Sequence, residues 1–229
     1  MKPSERSERG RLIQHREGRF VTLFFLSLVL HVAMPLAQAV PWLNLLVGLA
    51  FAAVLGYAGW ITIEPGRRRK GYSLLMLISL ISTATMVLSP RPEWRLGWLG
   101  FHAGLLGLST VLVVRWAALR ERITFDTVFA ALSAYYLMGF TWALVHLGLD
   151  ATLSGAFNRS LQTSQGFTDA FYFSFVTLTT LGYGDIVPTH PLTQALVTVE
   201  ALVGQVYLVV LVARLVSLWG PRERVGSSE

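Results

Sequence analysis

The chain has 229 residues, 53% of them hydrophobic and only 14% charged, against about 25% charged in an ordinary soluble domain. So apolar a composition excludes a disordered chain and argues against a soluble enzyme. The net charge of +6 is distributed between long apolar stretches, not gathered on one surface as a nucleic-acid binder requires, and the absence of cysteine rules out disulfides, thiolate metal sites and cysteine nucleophiles.

A membrane span needs about 20 mainly apolar residues to cross about 30 Å of hydrocarbon. Residues 1–19 form a basic leader, and six stretches of sufficient length follow: 20–39, 43–63, 72–89, 96–114, 127–149 and 192–213. Each is expected to be helical, since a helix bonds its own backbone, and the alternation of a membrane β-barrel is absent. Ala37-Gln38-Ala39 fits a small-residue cleavage site, but the first stretch is long enough to span and its leader carries Glu5, Glu8 and Glu17. It is read as a retained span. Short loops, the second carrying Arg67-Arg68-Arg69-Lys70, make residues 20–114 a four-helix bundle. The connector at 115–126 is read as an amphipathic surface helix, with Trp116, Leu119 and Ile123 on one face, or as a solvated basic loop. Sixteen of the 19 Lys and Arg fall on the side of the leader, the second loop, the connector and the tail. That asymmetry predicts cytoplasmic termini in a multi-pass protein of the plasma membrane.

Between the fifth and sixth spans lies an apolar, aromatic run from Thr168 to Thr179 that is too short to cross. Thr168 is expected as its N-cap, and Asp169 suits the positive end of a helix. Directly after it come Thr180-Leu181-Gly182-Tyr183-Gly184-Asp185 and, shortly beyond, Pro188. A half-helix followed by extended glycine-rich backbone reads as a re-entrant loop. At that depth non-helical backbone must be buried in protein or line a watery path.

Residues 177–188, Thr-Leu-Thr-Thr-Leu-Gly-Tyr-Gly-Asp-Ile-Val-Pro, resemble the pore signature of the tetrameric potassium channel family. The resemblance implies an all-α membrane protein with six transmembrane helices, plus a re-entrant pore helix (168–179) and a selectivity filter (180–184) between helices 5 and 6. The pore domain would run over 127–218, with a short cytoplasmic tail at 219–229. Carbonyl oxygens of Thr180, Leu181, Gly182 and Tyr183, with Gly184 beyond them, would replace the hydration shell of K+. The two glycines reach the required backbone angles at low cost. Thr179, Asp185, Tyr172, Phe173 and Val176 would support the filter and shape its outer mouth. Three departures stand out: Leu181 where valine is commonest, Tyr172 and Phe173 for a frequent tryptophan pair, and Val176 for an acid found in some members. One loop per chain implies a homotetramer, since a closed ring needs four.

By the same resemblance Gly204 would be a gating hinge, the alternative being close helix packing, and Gln205, Leu208 and Val212 would line the cavity. Glu200, an acid well inside a span, is read as a brace to the pore helix through Thr177 or Ser174, or as a proton-sensitive gating group. His31, His102 and His146 are read as helix-packing residues. Asn158-Arg159-Ser160 fits a glycosylation acceptor, a match that short motifs often make by chance. The fourth span carries no Lys or Arg, so steep voltage dependence has no source there. No catalytic constellation is present, and the only cofactor-like species implied is the permeating K+. The sequence therefore predicts a passive potassium-selective channel, not strongly voltage-gated, with the lipid bilayer and further copies of itself as partners and no nucleic acid. A weakly selective cation channel and a non-conducting sensory membrane protein are the alternatives.

Overall fold

Seven helices succeed one another in a computed structural model that describes residues 18–37, 41–89, 91–120, 123–163 and 165–219. The leader 1–17, the small-residue site at 38–39 and the tail 220–229 lie outside the described residues. The helices are α1 (Arg19–Ala37), α2 (Pro41–Thr62), α3 (Arg67–Leu88), α4 (Pro92–Ala118), α5 (Phe125–Thr152), α6 (Gly166–Leu178) and α7 (Pro191–Trp219). All but α6 are long and apolar enough to cross a membrane. The described residues contain no strand, only an isolated bridge between Phe157 and Pro188.

Helix starts follow local chemistry. Pro41, Pro92 and Pro191 open α2, α4 and α7, where a missing N–H costs no intrahelical bond. Thr124 caps α5 in a reciprocal box with Thr127. At the other end of α4 the helix continues to Ala118, so the first residues of the expected connector prolong the fourth span instead of forming a separate element. Arg120 then folds back 4.2 Å over the Trp116 ring.

Burial is uneven. α5 is the central helix, packing most extensively on α4 and also on α1 and α6. Its spanning window is 56% buried, against 11% for α7. Leu137, Phe140, Leu144 and Leu147 of α5 meet a continuous apolar core that includes Leu105, Leu106 and Val113 of α4 and Phe20 and Leu23 of α1. α2 joins α3 closely because Gly59 has no side chain: a Cβ there would collide with the Tyr72 ring. The Tyr72 hydroxyl donates to Leu55 O at 2.7 Å and meets Ser109 Oγ at 2.9 Å. His102 Nε2 lies 3.0 Å from Ser79 Oγ and 3.3 Å from Thr83 Oγ1, with Nδ1 2.9 Å from Trp98 O. Tyr72 and His102 thus tie α2, α3 and α4 together by polar bonds inside the bundle. α7 touches it at one further point, where Arg214 donates to Ala117 O at 2.7 Å and Arg120 O at 2.6 Å.

Candidate functional site

The short helix α6 starts at Gly166, two residues before the expected N-cap, so Thr168 lies within its first turn. The cause is tertiary: the chain packs so closely on the Leu161 carbonyl that only a glycine fits at 166. Asp169 sits in that first turn and pairs with Arg159 at 3.1 Å. At the far end, Tyr135 of α5 donates to Leu178 O at 2.9 Å. Both ends of α6 are therefore held from outside.

Past α6 the backbone takes alternating positive φ values: +58° at Thr180, +56° at Gly182 and +79° at Gly184. The N–H groups of Thr180, Leu181 and Gly182 turn back and donate to Thr177 O at 2.9 Å, Val176 O at 2.9 Å and Val176 O at 3.2 Å. N–H and C=O of one trans peptide point in opposite directions, so the carbonyls of Thr179, Thr180 and Leu181 face away from α6. Among the described residues, no carbonyl of 180–184 accepts a hydrogen bond. The result is a short row of free backbone oxygens at the C-terminal, partially negative end of a helix. Beneath it, Thr180 Oγ1 donates to Thr179 O at 2.7 Å and accepts from Gln205 Nε2 at 3.2 Å, while Thr179 Oγ1 donates to Phe175 O at 2.6 Å.

A clasp fixes the outer side. Asn158 Nδ2 donates to Asp185 O at 3.1 Å, Val187 N donates to Asn158 Oδ1 at 3.0 Å, and Asn158 N donates to Val187 O at 3.0 Å. Thr189 N donates to Ala156 O at 3.0 Å. Because these two strips bind each other, everything between them leaves and returns on one side of the bundle. Asn158 had carried only a chance motif in the sequence, and nothing in that motif signals a clasp.

Of the expected supporting residues, Tyr172 reaches the row: its ring stacks on Tyr183 at 6.3 Å and 7°, and the nearby Asp185 carboxylate, after burial, helps to raise its hydroxyl pKa. Phe173 does not. It packs edge-on against His146 at 5.0 Å and Phe157 at 5.2 Å. One step along a helix rotates a side chain by about 100°, which turns Phe173 toward His146 and Phe157. Val176 contributes its carbonyl, as described, and shares a cavity wall with Thr179 and Leu181.

α7 supplies the back of the site. Glu200 is fully buried; its Oε1 lies 2.6 Å from Ser174 Oγ and its Oε2 lies 2.7 Å from His146 Nε2. Ser174 Oγ is also 2.8 Å from Gly139 O. Glu200 thus ties α7 to α6 and α5 at once. Ser174 was one of its two expected partners, whereas His146, read as packing, is 54 positions away and carried no sequence signal. Gly204 sits in unbroken helix, where a Cβ would fall 2.6 Å from Leu178 O. Its close packing against α6 is therefore a structural fact. Leu208 is half-buried and Val212 is exposed on α7.

Comparison with known proteins points to the same segment. Residues 123–219 match the family model described as "Ion channel". The chain is 35% identical over 114 residues to the inward rectifier potassium channel Kirbac3.1 of Paramagnetospirillum magnetotacticum, covering 50% of this chain and 32% of that protein. It is 30% identical over 183 residues to the voltage-gated potassium channel Kch of Escherichia coli, covering 79% of this chain and 36% of that one. Over 51 residues it is 53% identical to two-pore potassium channel 4 of Arabidopsis thaliana, 22% of this chain and 18% of the relative. In each case the match spans about a third or less of the relative's length. No solved structure matches.

Proposed function

We propose that this chain is a member of the potassium channel family and forms a homotetrameric pore that conducts K+ passively and selectively across the plasma membrane, with cytoplasmic termini. The observation that carries this reading is the row of unbonded carbonyls at 180–184, set up by positive φ at Thr180, Gly182 and Gly184 and by amides turned back into α6. Four such rows around an axis give stacked rings of oxygens that take over the ion's hydration shell, with the Thr180 hydroxyls as the innermost ring. The C-terminal end of α6 attracts the cation waiting below.

The fourfold assembly follows from what one chain leaves open. Leu181 and Tyr183 are 56% and 65% exposed, and Leu202, Val206 and Val210 of α7 are bare; neighbouring copies would cover them. In the assembly Gln205, Leu208 and Val212 line the inner cavity, and Gly204 is the point where α7 bends to open it. Asp185, near Tyr172, places a carboxylate at the outer mouth. Without a ladder of arginines in α4, opening depends weakly on voltage. The test is flux from liposomes containing the purified protein. K+ efflux far above Na+ efflux, from particles of four chains, is the expected result. Equal fluxes favour the weakly selective channel, and a monomer without flux favours the sensory reading.

A further inference from the structure

Away from the pore, a groove of about 320 Å³ runs between α2 and α3, lined by Gly56, Trp60, Arg69, Met76, Leu77 and Leu80 among others. Trp60 and Leu77 are 57% and 53% exposed, so the groove opens sideways, toward lipid. Arg69 closes its polar end. Its guanidinium lies 3.1 Å over the Trp60 ring, and its Nε is buried with no hydrogen-bond partner. A buried donor left unpaired is costly, and here it borders the groove. Tyr72 also borders it, but its hydroxyl is committed inward to Leu55 O and Ser109.

Length and charge identify the occupant. From Arg69 to Leu80 the helix rises about 16 Å at 1.5 Å per residue, roughly half of a 30 Å hydrocarbon core. One end of the groove is then at the polar interface and the other near the midplane, the reach of an acyl chain in a single leaflet. Around the polar end stand Arg67, Arg68 and Lys70, all exposed. Among the described residues none of the four cations forms an ion pair. They occupy the first turn of α3, which has no acid and no side-chain cap, and a helix N-terminus is itself partially positive. That end repels itself until an anion joins it.

We infer that this groove binds one anionic phospholipid, its phosphate at Arg69 and the 67–70 run and its acyl chain along Gly56, Met76 and Leu80. A zwitterionic lipid would bring its own ammonium into the same positive field and bind less well. The site stands whether or not the pore conducts, so its test is separate from ion flux.

Native mass spectrometry of the full chain, with phosphatidylglycerol or phosphatidylcholine at equal concentration, provides that test. Phosphatidylglycerol is expected to bind preferentially, and Arg69→Gln to weaken it about fivefold, the scale of one basic residue at an anionic surface, with phosphatidylcholine unchanged. Gly56→Leu, which fills the groove but keeps all four cations, is expected to weaken phosphatidylglycerol as well. Arg91→Gln, on a different turn, leaves binding unaltered. Should Gly56→Leu fail to fold, phosphatidylglycerol brominated on its chains must quench wild-type emission more than that of Trp60→Phe. Equal binding of the two lipids, an unaffected Arg69→Gln, an unaffected folded Gly56→Leu, or equal quenching of the two proteins would each overturn the site.

Discussion

The first four helices and the last three handle buried polar groups in different ways. In the front bundle, Tyr72 bonds Leu55 O and Ser109, and His102 bonds Ser79 and Thr83, with hydroxyls and carbonyls as partners around an apolar core. Among the last three helices a carboxylate is buried, and it joins three elements: Glu200 of α7, Ser174 of α6 and His146 of α5. The difference reflects what each must hold. A spanning helix bonds its own backbone and needs only lipid and neighbours around it. A 13-residue half-helix carrying non-helical backbone needs directional bonds to fix its depth and angle. The last three helices are therefore stiffened by specific bonds where the front is stiffened by fit.

The sharpest way to break that contrast is at the row of carbonyls. Gly182 has φ +56° and no atom within 4 Å of an added Cβ, so Gly182→Ala adds strain without a clash. Left-handed backbone costs an L-residue roughly 1–2 kcal/mol, and a tetramer incurs it four times. K+ flux is expected to vanish while tetramers still form, as checked by flux and by particle mass on the same preparation. Selective flux of normal size from that variant would sink the assignment of the filter.

Next in size is the three-way tie. Ser174 has one hydroxyl hydrogen, yet its oxygen sits 2.8 Å from Gly139 O and 2.6 Å from Glu200 Oε1. A glutamine at 200 can donate its amide hydrogen to Ser174, which then donates to Gly139 O, while the glutamine carbonyl accepts from His146 Nε2. Glu200→Gln should accordingly keep the stability of the tetramer, whereas Glu200→Ala, which strands His146 and leaves Ser174 only Gly139 O, should cost about 3 kcal/mol. Thermal midpoints of the detergent-solubilised tetramers measure both. Equal losses in the two variants would mean that charge, not hydrogen-bond count, holds the tie.

How far the sequence revealed these features depends on the range of the interaction. The six spans were readable because hydrophobic run length is a local property, though helix and span are not the same thing: α3 begins at Arg67, five residues before the apolar stretch, because a helix can continue beyond the hydrocarbon. The Thr180–Gly184 segment was readable because two of its three positive-φ positions, 182 and 184, are glycines. Contacts set by tertiary approach were not. Gly166 against Leu161 O moved the start of α6, helical phase turned Phe173 from the filter, and His146 meets Glu200 across 54 positions. A buried acid does announce that it needs partners, which is why Ser174 could be named and His146 could not.

Paired glycine substitutions compare the two regions directly. Gly204→Ala places a methyl group 2.6 Å from Leu178 O and against the Leu178 side chain, whereas Gly59→Ala drives one into the Tyr72 ring. Each overpacks a close contact, at about 1–3 kcal/mol. Only the first touches α6, so Gly204→Ala should alter the K+ to Na+ flux ratio and Gly59→Ala should lower thermal stability with the ratio unchanged. A changed ratio in Gly59→Ala would show that the front bundle sets filter geometry after all.

The smallest effect is expected at the clasp, and it separates stability from ion occupancy. Asn158→Ala removes the amide that donates to Asp185 O and accepts from Val187 N, but leaves the backbone bond from Asn158 N to Val187 O. Asn158 is exposed, so water can replace both side-chain bonds and the loss should be about 1 kcal/mol or less. That loss falls on Asp185 and Val187, the first and third residues after Gly184. The backbone bonds from Asn158 N to Val187 O and from Thr189 N to Ala156 O stay, so the outer mouth should loosen without coming apart. The tetramer midpoint is then expected to move little, while protection of the 183–187 amides in hydrogen exchange at low K+ falls and recovers as K+ is raised, because ions bound by the neighbouring carbonyls restore the order the clasp supplied. Exchange that is faster but indifferent to K+ would place these amides outside the influence of the ion-binding row.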